Sequence, residues 1–261
     1  MRKPNPHPRL FAFIAVVALL AASCGDDSSD TESTTADTAA PEVTEPETSE
    51  PPVEDTTPAP ETTEAAPTYE GDLVGTFSID DAVCDGPAEV TGSYFQMLQP
   101  GGTLDAGPFI MNGDSACADT TFSGLTAGSE GGLITGDWQP APDPAFDENG
   151  FGLADAIFEP VIFFAVAFAG ATEPAEAAPT LTATNGVLTG DLSAFTAYYG
   201  DLSFNQGGPK PDGSGEAPVG TIDPETGAYV LDWTSQIVGG SFNDFTGVWH
   251  LEGTFTGGPG N

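Results

Sequence analysis

The chain has 261 residues, of which only 4 are Lys or Arg against 40 Asp and Glu, for a formal net charge of −36. Binding to phosphates needs basic side chains that displace counterions, so nucleic acid is excluded as a partner, and an anionic membrane surface repels the chain. Arg2, Lys3 and Arg9 account for three of the four cations; beyond residue 23 a single Lys, Lys210, stands against all 40 acidic residues, leaving −39. Divalent cations and neutral ligands are compatible with that charge, which also keeps an exposed protein soluble.

The early cations precede an apolar run from Leu10 to Ala22 that ends in the small residues Ala21, Ala22 and Ser23. A positive start, a short apolar middle and a small-residue end are the layout of an export signal. At thirteen residues the run is too short to span a bilayer, which takes roughly 20, and Gly25, Asp26 and Asp27 terminate it. The order Leu20-Ala21-Ala22-Ser23-Cys24-Gly25 resembles the lipobox of bacterial lipoproteins, although Leu20 stands four residues before the cysteine, where that pattern has it three before. The resemblance implies that the Cys24 thiol receives a diacylglyceryl group and that residues 1–23 are removed as signal peptide. It also implies a lipid anchor on the outer face of the cell membrane, or of an outer membrane where there is one. Two acyl chains anchor stably, and here they must act without help from a basic patch. The alternative is ordinary secretory cleavage at a site that includes a cysteine.

Residues 24–69 are mostly Thr, Glu, Pro, Ala and Ser, with thirteen acidic residues between Asp26 and Glu64. Such a segment cannot bury enough apolar surface to offset its ordering entropy, and it is expected to be disordered. Proline and like charge favour extension; at roughly 3 Å per residue, the 45 residues after Cys24 reach on the order of 140 Å. A stalk is the expectation.

Residues 70–261 change character, with Phe, Trp, Tyr, Val and Ile recurring between Gly-rich breaks. These 192 residues suffice for one domain with its own core. Candidate strands cover 73–79, 89–98, 133–138, 161–169, 187–199 in one or two pieces, 228–234 and 247–255. Turn residues at these intervals predict an all-β fold, a single antiparallel β-sandwich or barrel. The clearest turn is Asp223-Pro224-Glu225-Thr226-Gly227, a type I turn closed by a glycine at positive φ. After it, Tyr229, Leu231 and Trp233 alternate with Val230, Asp232 and Thr234, and Trp249, Leu251 and Phe255 oppose His250, Glu252 and Thr254. The most apolar run, 161–169, reads as one buried central strand, with Ile162, Phe164, Val166 and Phe168 on one face and Ala165, Ala167 and Ala169 on the other.

Cys84 and Cys117 form an even pair in an exported domain, which predicts a disulfide; closing a loop of about 34 residues contributes roughly 3–4 kcal/mol. Neither has a second Cys or a His at zinc-ligand spacing. Catalytic machinery is sparse: His250 is the only histidine after the signal, and there is no Gly-x-Ser-x-Gly elbow and no P-loop. His250 reads as a surface residue on a polar face. A glycosidase needs only two carboxylates. An extracellular hydrolase acting on a neutral polymer such as a glycan is therefore the alternative to a non-catalytic binding or envelope-structural domain.

Two long loops are candidates for binding. Residues 139–156 carry Asp143, Asp147, Glu148, Asn149 and Asp155, oxygen ligands that suit calcium, yet an EF-hand register starting at Asp147 puts Phe151 and Phe158 at ligand positions. Solvated turn residues are the competing account. Residues 205–218 hold Gly207, Gly208, Pro209, Lys210 and Asp212, and Trp138 beside the first loop offers a face for a sugar.

The stretch Tyr229-Val-Leu-Asp-Trp233-Thr-Ser-Gln-Ile-Val-Gly239-Gly240-Ser-Phe242-Asn, followed by Thr246-Gly-Val-Trp249-His-Leu-Glu-Gly253, resembles the ends of exported bacterial proteins with β-rich ectodomains. The resemblance implies a fold and carries no activity. The expectation is a surface lipoprotein partnered with the lipid bilayer through Cys24, and with a glycan or an envelope protein through its domain.

Overall fold

The computed structural model describes residues 68–84, 90–210 and 212–260; the export signal, Cys24 and the stalk up to residue 67 lie outside them. Every regular element among the described residues is a strand. The first seven are β1 (Gly71–Ser78), β2 (Tyr94–Thr103), β3 (Gly107–Phe109), β4 (Ser123–Gly124), β5 (Gly132–Thr135), β6 (Val161–Phe163) and β7 (Val166–Thr172). The rest are β8 (Thr180–Thr184), β9 (Val187–Asp191), β10 (Phe195–Tyr199), β11 (Leu202–Asn205), β12 (Glu216–Ile222), β13 (Ala228–Gln236) and β14 (Thr246–Pro259).

The all-β expectation holds, in its barrel form. Strands β14, β13, β12, β9, β8 and β1 pair antiparallel in that order, and β1 pairs back onto β14, so six strands close on themselves. Closure removes the free edges that an open sheet would leave. The alternation along β13 and β14 supplies the interior: Tyr229, Leu231, Trp233, Trp249, Leu251 and Phe255 are all buried. Phe77 meets Tyr229 edge-on at 5.0 Å and lies 4.6 Å from Phe255, which fills the middle of the barrel. Each such ring contributes on the order of 1.5–3 kcal/mol by leaving water. The Asp223 turn forms as the sequence predicts. Gly227 sits at φ 76°, its amide donates to the Asp223 carbonyl at 2.9 Å, and the Asp223 carboxylate accepts from the amides of Glu225 and Thr226.

Strand β14 has three partners. One edge runs along β13; the other pairs with β2 over Thr246–His250 and with β1 over Phe255–Pro259. Between those two pairings, the residues at the fork lose a ladder partner, and two serine hydroxyls replace it. Ser93 Oγ donates to the Glu252 carbonyl and accepts from the Glu252 amide, and Ser78 Oγ does the same for Thr254. The residue between them must be small, because a Cβ on Gly253 would sit 1.9 Å from the Ser78 carbonyl oxygen.

A second sheet, in the order β11-β10-β7-β6, packs on the extension of the barrel. Phe163, Phe168 and Phe195 join the same apolar cluster as Phe95, Trp233 and Trp249. Here the single-strand reading of residues 161–169 is corrected. The run is a hairpin, β6 and β7 paired Phe163 with Val166, and Phe164-Ala165 form its two-residue turn. Phe163 and Phe168 are buried as expected, but Phe164 is 49% exposed and Ile162 is exposed with it, so the run is not buried throughout. The Ala167 and Ala169 face does accept a packed partner, since Phe146, Ala145 and Ala154 from the 139–156 stretch lie against Ala169, Ala171 and Tyr198. That stretch is therefore partly a cover for the second sheet. The 205–218 loop is likewise less open than expected: Gln206, Gly207 and Gly208 are buried, and the Trp233 indole donates to the Gln206 carbonyl. Strands β3, β4, β8, β11 and β12 have no counterpart among the predicted segments, and β2 begins at Tyr94, five residues later than expected.

The Cys84–Cys117 disulfide is present, with Cα atoms 4.8 Å apart. For the fork, replacing the fully buried Ser93 with Ala is expected to lower the unfolding free energy by about 1–3 kcal/mol, the cost of leaving the Glu252 amide unpaired while its carbonyl keeps the Asp80 amide. Urea denaturation measures it, with exposed Ser203→Ala as a control expected to stay within about 0.5 kcal/mol. Equal effects of the two substitutions would contradict the role given to Ser93.

Candidate functional site

Three loops meet at the end of the molecule where β14 begins. They are the β6–β7 turn, the β10–β11 turn and the segment 237–245 that joins β13 to β14. Phe242 stands at their centre, with ring centroids 5.8 Å from Phe163, 5.9 Å from Phe164, 5.9 Å from Tyr199 and 5.8 Å from Phe245. Beneath it a cavity of about 40 Å³ is bounded by Phe95, Phe163, Phe168, Tyr199, Phe242 and Trp249, with Gln206 at its base. At roughly 30 Å³ per water molecule, that is room for about one.

The polar side chains of the lining hydrogen-bond within the protein. Gln206 Oε1 accepts from the Trp249 indole at 3.3 Å, and its Nε2 donates to the Asn205 carbonyl at 3.1 Å. The Tyr199 hydroxyl donates to the Phe163 carbonyl at 3.0 Å. Burial, and then the charge of Asp114, push that hydroxyl above its ordinary value, so it stays a donor. A group entering the cavity meets an aromatic and aliphatic lining in which Gln206 and Tyr199 are the polar side chains.

Positive-φ backbone gathers at the same three loops, and the strained part of it is the Phe164-Ala165 turn. Among the described residues, five non-glycine residues have positive φ, and four of them are Phe164, Ala165, Asp201 and Asp244. Phe164 and Ala165, at φ 49° and 61°, turn β6 into β7; the fifth, Asn185 at φ 52°, and Gly186 at φ 77° turn β8 into β9 in the same way. Asn-Gly is the pair that a two-residue turn of this hand prefers, and Phe-Ala is not. Left-handed backbone costs roughly 1–2 kcal/mol at an ordinary residue, so the Phe164-Ala165 turn must be held from outside. Asp114 does so, its carboxylate accepting from the Ala165 amide at 2.7 Å, while buried Asn112 donates to the Ile162 carbonyl at 2.9 Å. The result is an exposed Phe held rigidly beside an aromatic cavity, with Val238 (69% exposed) and Leu202 also in solvent.

His250 lies elsewhere, on the outer face of β14, opposite Asp232 on β13 and Tyr94 on β2. Its Nδ1 is 2.6 Å from Asp232 Oδ1, its Nε2 is 3.0 Å from Glu252 Oε1, and the Tyr94 ring stacks on it at 4.5 Å. Burial works against the charged ring, but the hydrogen bonds and charges of Asp232 and Glu252 outweigh it and raise the His250 pKa. Both ring nitrogens face carboxylates, so the protonated ring clamps the strands by donating from Nδ1 and Nε2 together. The side chain is only 14% exposed, so the surface-residue reading is corrected.

The residues considered for calcium do not converge. Asp147 closes its own turn, with Oδ1 accepting from the amides of Asn149 and Phe151; those bonds, led by the one from Phe151, hold its carboxyl below the usual range. Asp155 instead faces Ser129. Among the described residues no three His, Cys, Asp or Glu side chains form a group that could hold a metal ion. Trp138 is exposed but its indole is tied to the Glu176 carbonyl, and it does not line the cavity. Lys210 bonds to the side-chain oxygen of Asn205 at 2.9 Å, and burial lowers its pKa against the opposing pull of Asp212. The aromatic cleft itself draws on residues scattered from 95 to 249; the one local signal for it was a Phe-Phe pair in a run too long for a single short strand.

The His250 clamp sets a pH dependence. A folded-state pKa above the unfolded one gives stabilisation that is complete below about pH 6.5 and is lost as pH rises through the folded value. Urea midpoints are therefore expected to fall between pH 6 and pH 9 in the parent chain and to stay level in His250→Gln; parallel curves for the two would refute the clamp. No protein-family model, no characterised protein and no solved structure matches this chain, so the cleft and the clamp stand on their own geometry.

Proposed function

We propose that this chain is an exported, lipid-anchored surface protein whose all-β domain is a non-catalytic binding module, with the aromatic cleft as its binding element. One observation carries the cleft assignment: Phe164 and Ala165, two residues that disfavour left-handed backbone, are held in it on a loop beside the aromatic cavity. Strain of this kind costs stability and persists where a site requires it. The anchoring rests on the Leu20–Gly25 pattern, and the separation from the bilayer on the acidic, proline-rich stalk. The hydrolase alternative is left to carboxylates alone, because the one histidine of the domain has both ring nitrogens against Asp232 and Glu252.

Two outcomes follow. Replacing Phe164-Ala165 with Asn-Gly is expected to raise the unfolding free energy by about 1–3 kcal/mol. The same variant is expected to lose binding of any ligand that the parent captures from a panel of small apolar molecules, organic cations and glycans, as read by tryptophan fluorescence. A variant no more stable than the parent, or a glycan hydrolysed by the parent and spared by carboxylate variants, would overturn the reading. For the anchor, Cys24→Ala is expected to move the protein from the membrane fraction to the soluble fraction; unchanged fractionation would sink the lipid assignment.

A further inference from the structure

The loops around the cleft carry a surface larger than the cavity beneath them, and its chemistry names a class of partner, an inference that rests on this being the binding end of the domain. We propose that this surface docks a cationic amphipathic segment of another protein. The apolar side chains of that segment cover an exposed strip, and its Lys or Arg side chains meet the carboxylates beside it.

The strip is continuous across the three loops. Phe164, held outward by its turn, lies 5.9 Å from Phe242 between ring centroids. Two residues before Phe242, the backbone of Gly240 is met by Phe204 and Leu202, whose side chains stand 3.0 Å and 3.3 Å from where a Cβ would be. Val238 borders the same hollow as Phe204. Phe164, Leu202 and Val238 are all exposed, and each comes from a different loop. Single exposed apolar residues need no explanation, but a contiguous set marks an interaction surface. Because the Asp114 carboxylate fixes the Ala165 amide, the Phe164 ring is ordered in advance, and docking on it loses little entropy.

Charge decides among the occupants. Asp201 in the β10–β11 turn, Asp244 in the segment 237–245 and Asp114 behind the β6–β7 turn are exposed carboxylates on or beside the same loops. The one Lys or Arg of the domain, Lys210, borders the hollow at the Val238 end and already donates to Asn205. A second copy would bring carboxylates against carboxylates, with −39 formal charges on each chain after residue 23. The chain's own stalk, residues 25–67, is acidic and has no Leu, Ile, Met or aromatic residue with which to cover the strip. An anionic bilayer is repelled by the same field. A segment rich in both large apolar and basic residues satisfies the strip and the carboxylates together, and this chain has none after residue 23. Exposed ion pairs are individually weak, so the apolar strip supplies most of the affinity and the carboxylates select the partner.

The test uses the chain from residue 24 onward with Cys24→Ser, titrated by calorimetry at about 0.15 M salt. The probes are synthetic peptides of equal length that alternate Lys with Leu, Glu with Leu, or Lys with Ser. The Lys and Leu peptide is expected to bind about tenfold or more tighter than either of the others, and to lose about tenfold in affinity when Leu202→Ser and Val238→Ser are combined. Val187→Ser with Val219→Ser, a pair equally exposed on the barrel strands, is expected to bind as the parent does. Equal binding of the Lys and Ser peptide would reduce the effect to net charge and overturn the docking surface; equal or tighter binding of the Glu and Leu peptide would overturn the basic partner. Equal losses in the two double variants would overturn the location. Dimerisation of the parent in sedimentation, abolished by the Leu202 and Val238 substitutions, would assign the strip to a second copy and overturn the inference. Failure of the Lys and Leu peptide to bind also overturns it, while the small-molecule panel and the Asn-Gly turn variant decide separately whether the cleft is a binding element.

Discussion

The structure depends on one strand being shared. Fourteen residues from Thr246 to Pro259 serve the barrel wall, its closure and its extension at once, and no regular ladder can do this without leaving backbone groups unpaired where the edges diverge. Ser93 and Ser78 resolve the conflict with one hydroxyl each, both donating and accepting across the gap. Because this fork lets β2 continue beside β14 after β1 has closed the barrel, the second sheet has a surface to pack on. Without that surface Phe163, Phe168 and Phe195 would have no cover, and there would be no cleft.

Interior packing and the strained loops balance against each other. The stacked pair Trp233 and Trp249, 5.7 Å apart, is buried with Phe195 against both rings. That rigid platform holds the base of the cavity, while Asp114 and Asn112, reaching in from a distant loop, hold its rim. Stability gained across a large closed core is enough to offset a few kcal/mol of unfavourable backbone at one end. The His250 clamp belongs to the platform side of this balance, tying β13 to β14 on the outer face while the tryptophans tie them inside.

Much of the barrel was legible in the residues themselves. The alternation of Tyr229, Leu231 and Trp233 and of Trp249, Leu251 and Phe255 requires one buried face, and Asp223 to Gly227 carries its turn chemistry locally. The 161–169 run misled because its turn has no Gly or Asn; the group that stabilises it, the Asp114 carboxylate, lies 51 residues away in sequence. His250 followed the same logic: Glu252 two positions on was visible, but the Asp232 contact exists only through the register of two strands. The aromatic cavity is assembled from five separate stretches of chain, and no local pattern encodes a void. Thr180 to Thr184 went unassigned because its threonines and alanine gave too little apolar contrast beside Gly-rich neighbours.

The placement of β14 has a mechanical consequence. The chain enters the domain just before Gly71, where β1 lies alongside the last residues of β14, whereas the cleft surrounds the first residues of β14. Entry point and cleft are thus separated by most of a fourteen-residue strand, on the order of 40 Å. A pull on the entering segment against something gripped in the cleft runs lengthwise along β1, between β14 and β8. Its hydrogen bonds are then loaded together in shear and cannot be peeled one at a time. The barrel is connected so that force applied between its entry point and the loops around Phe242 meets its greatest resistance in these strands.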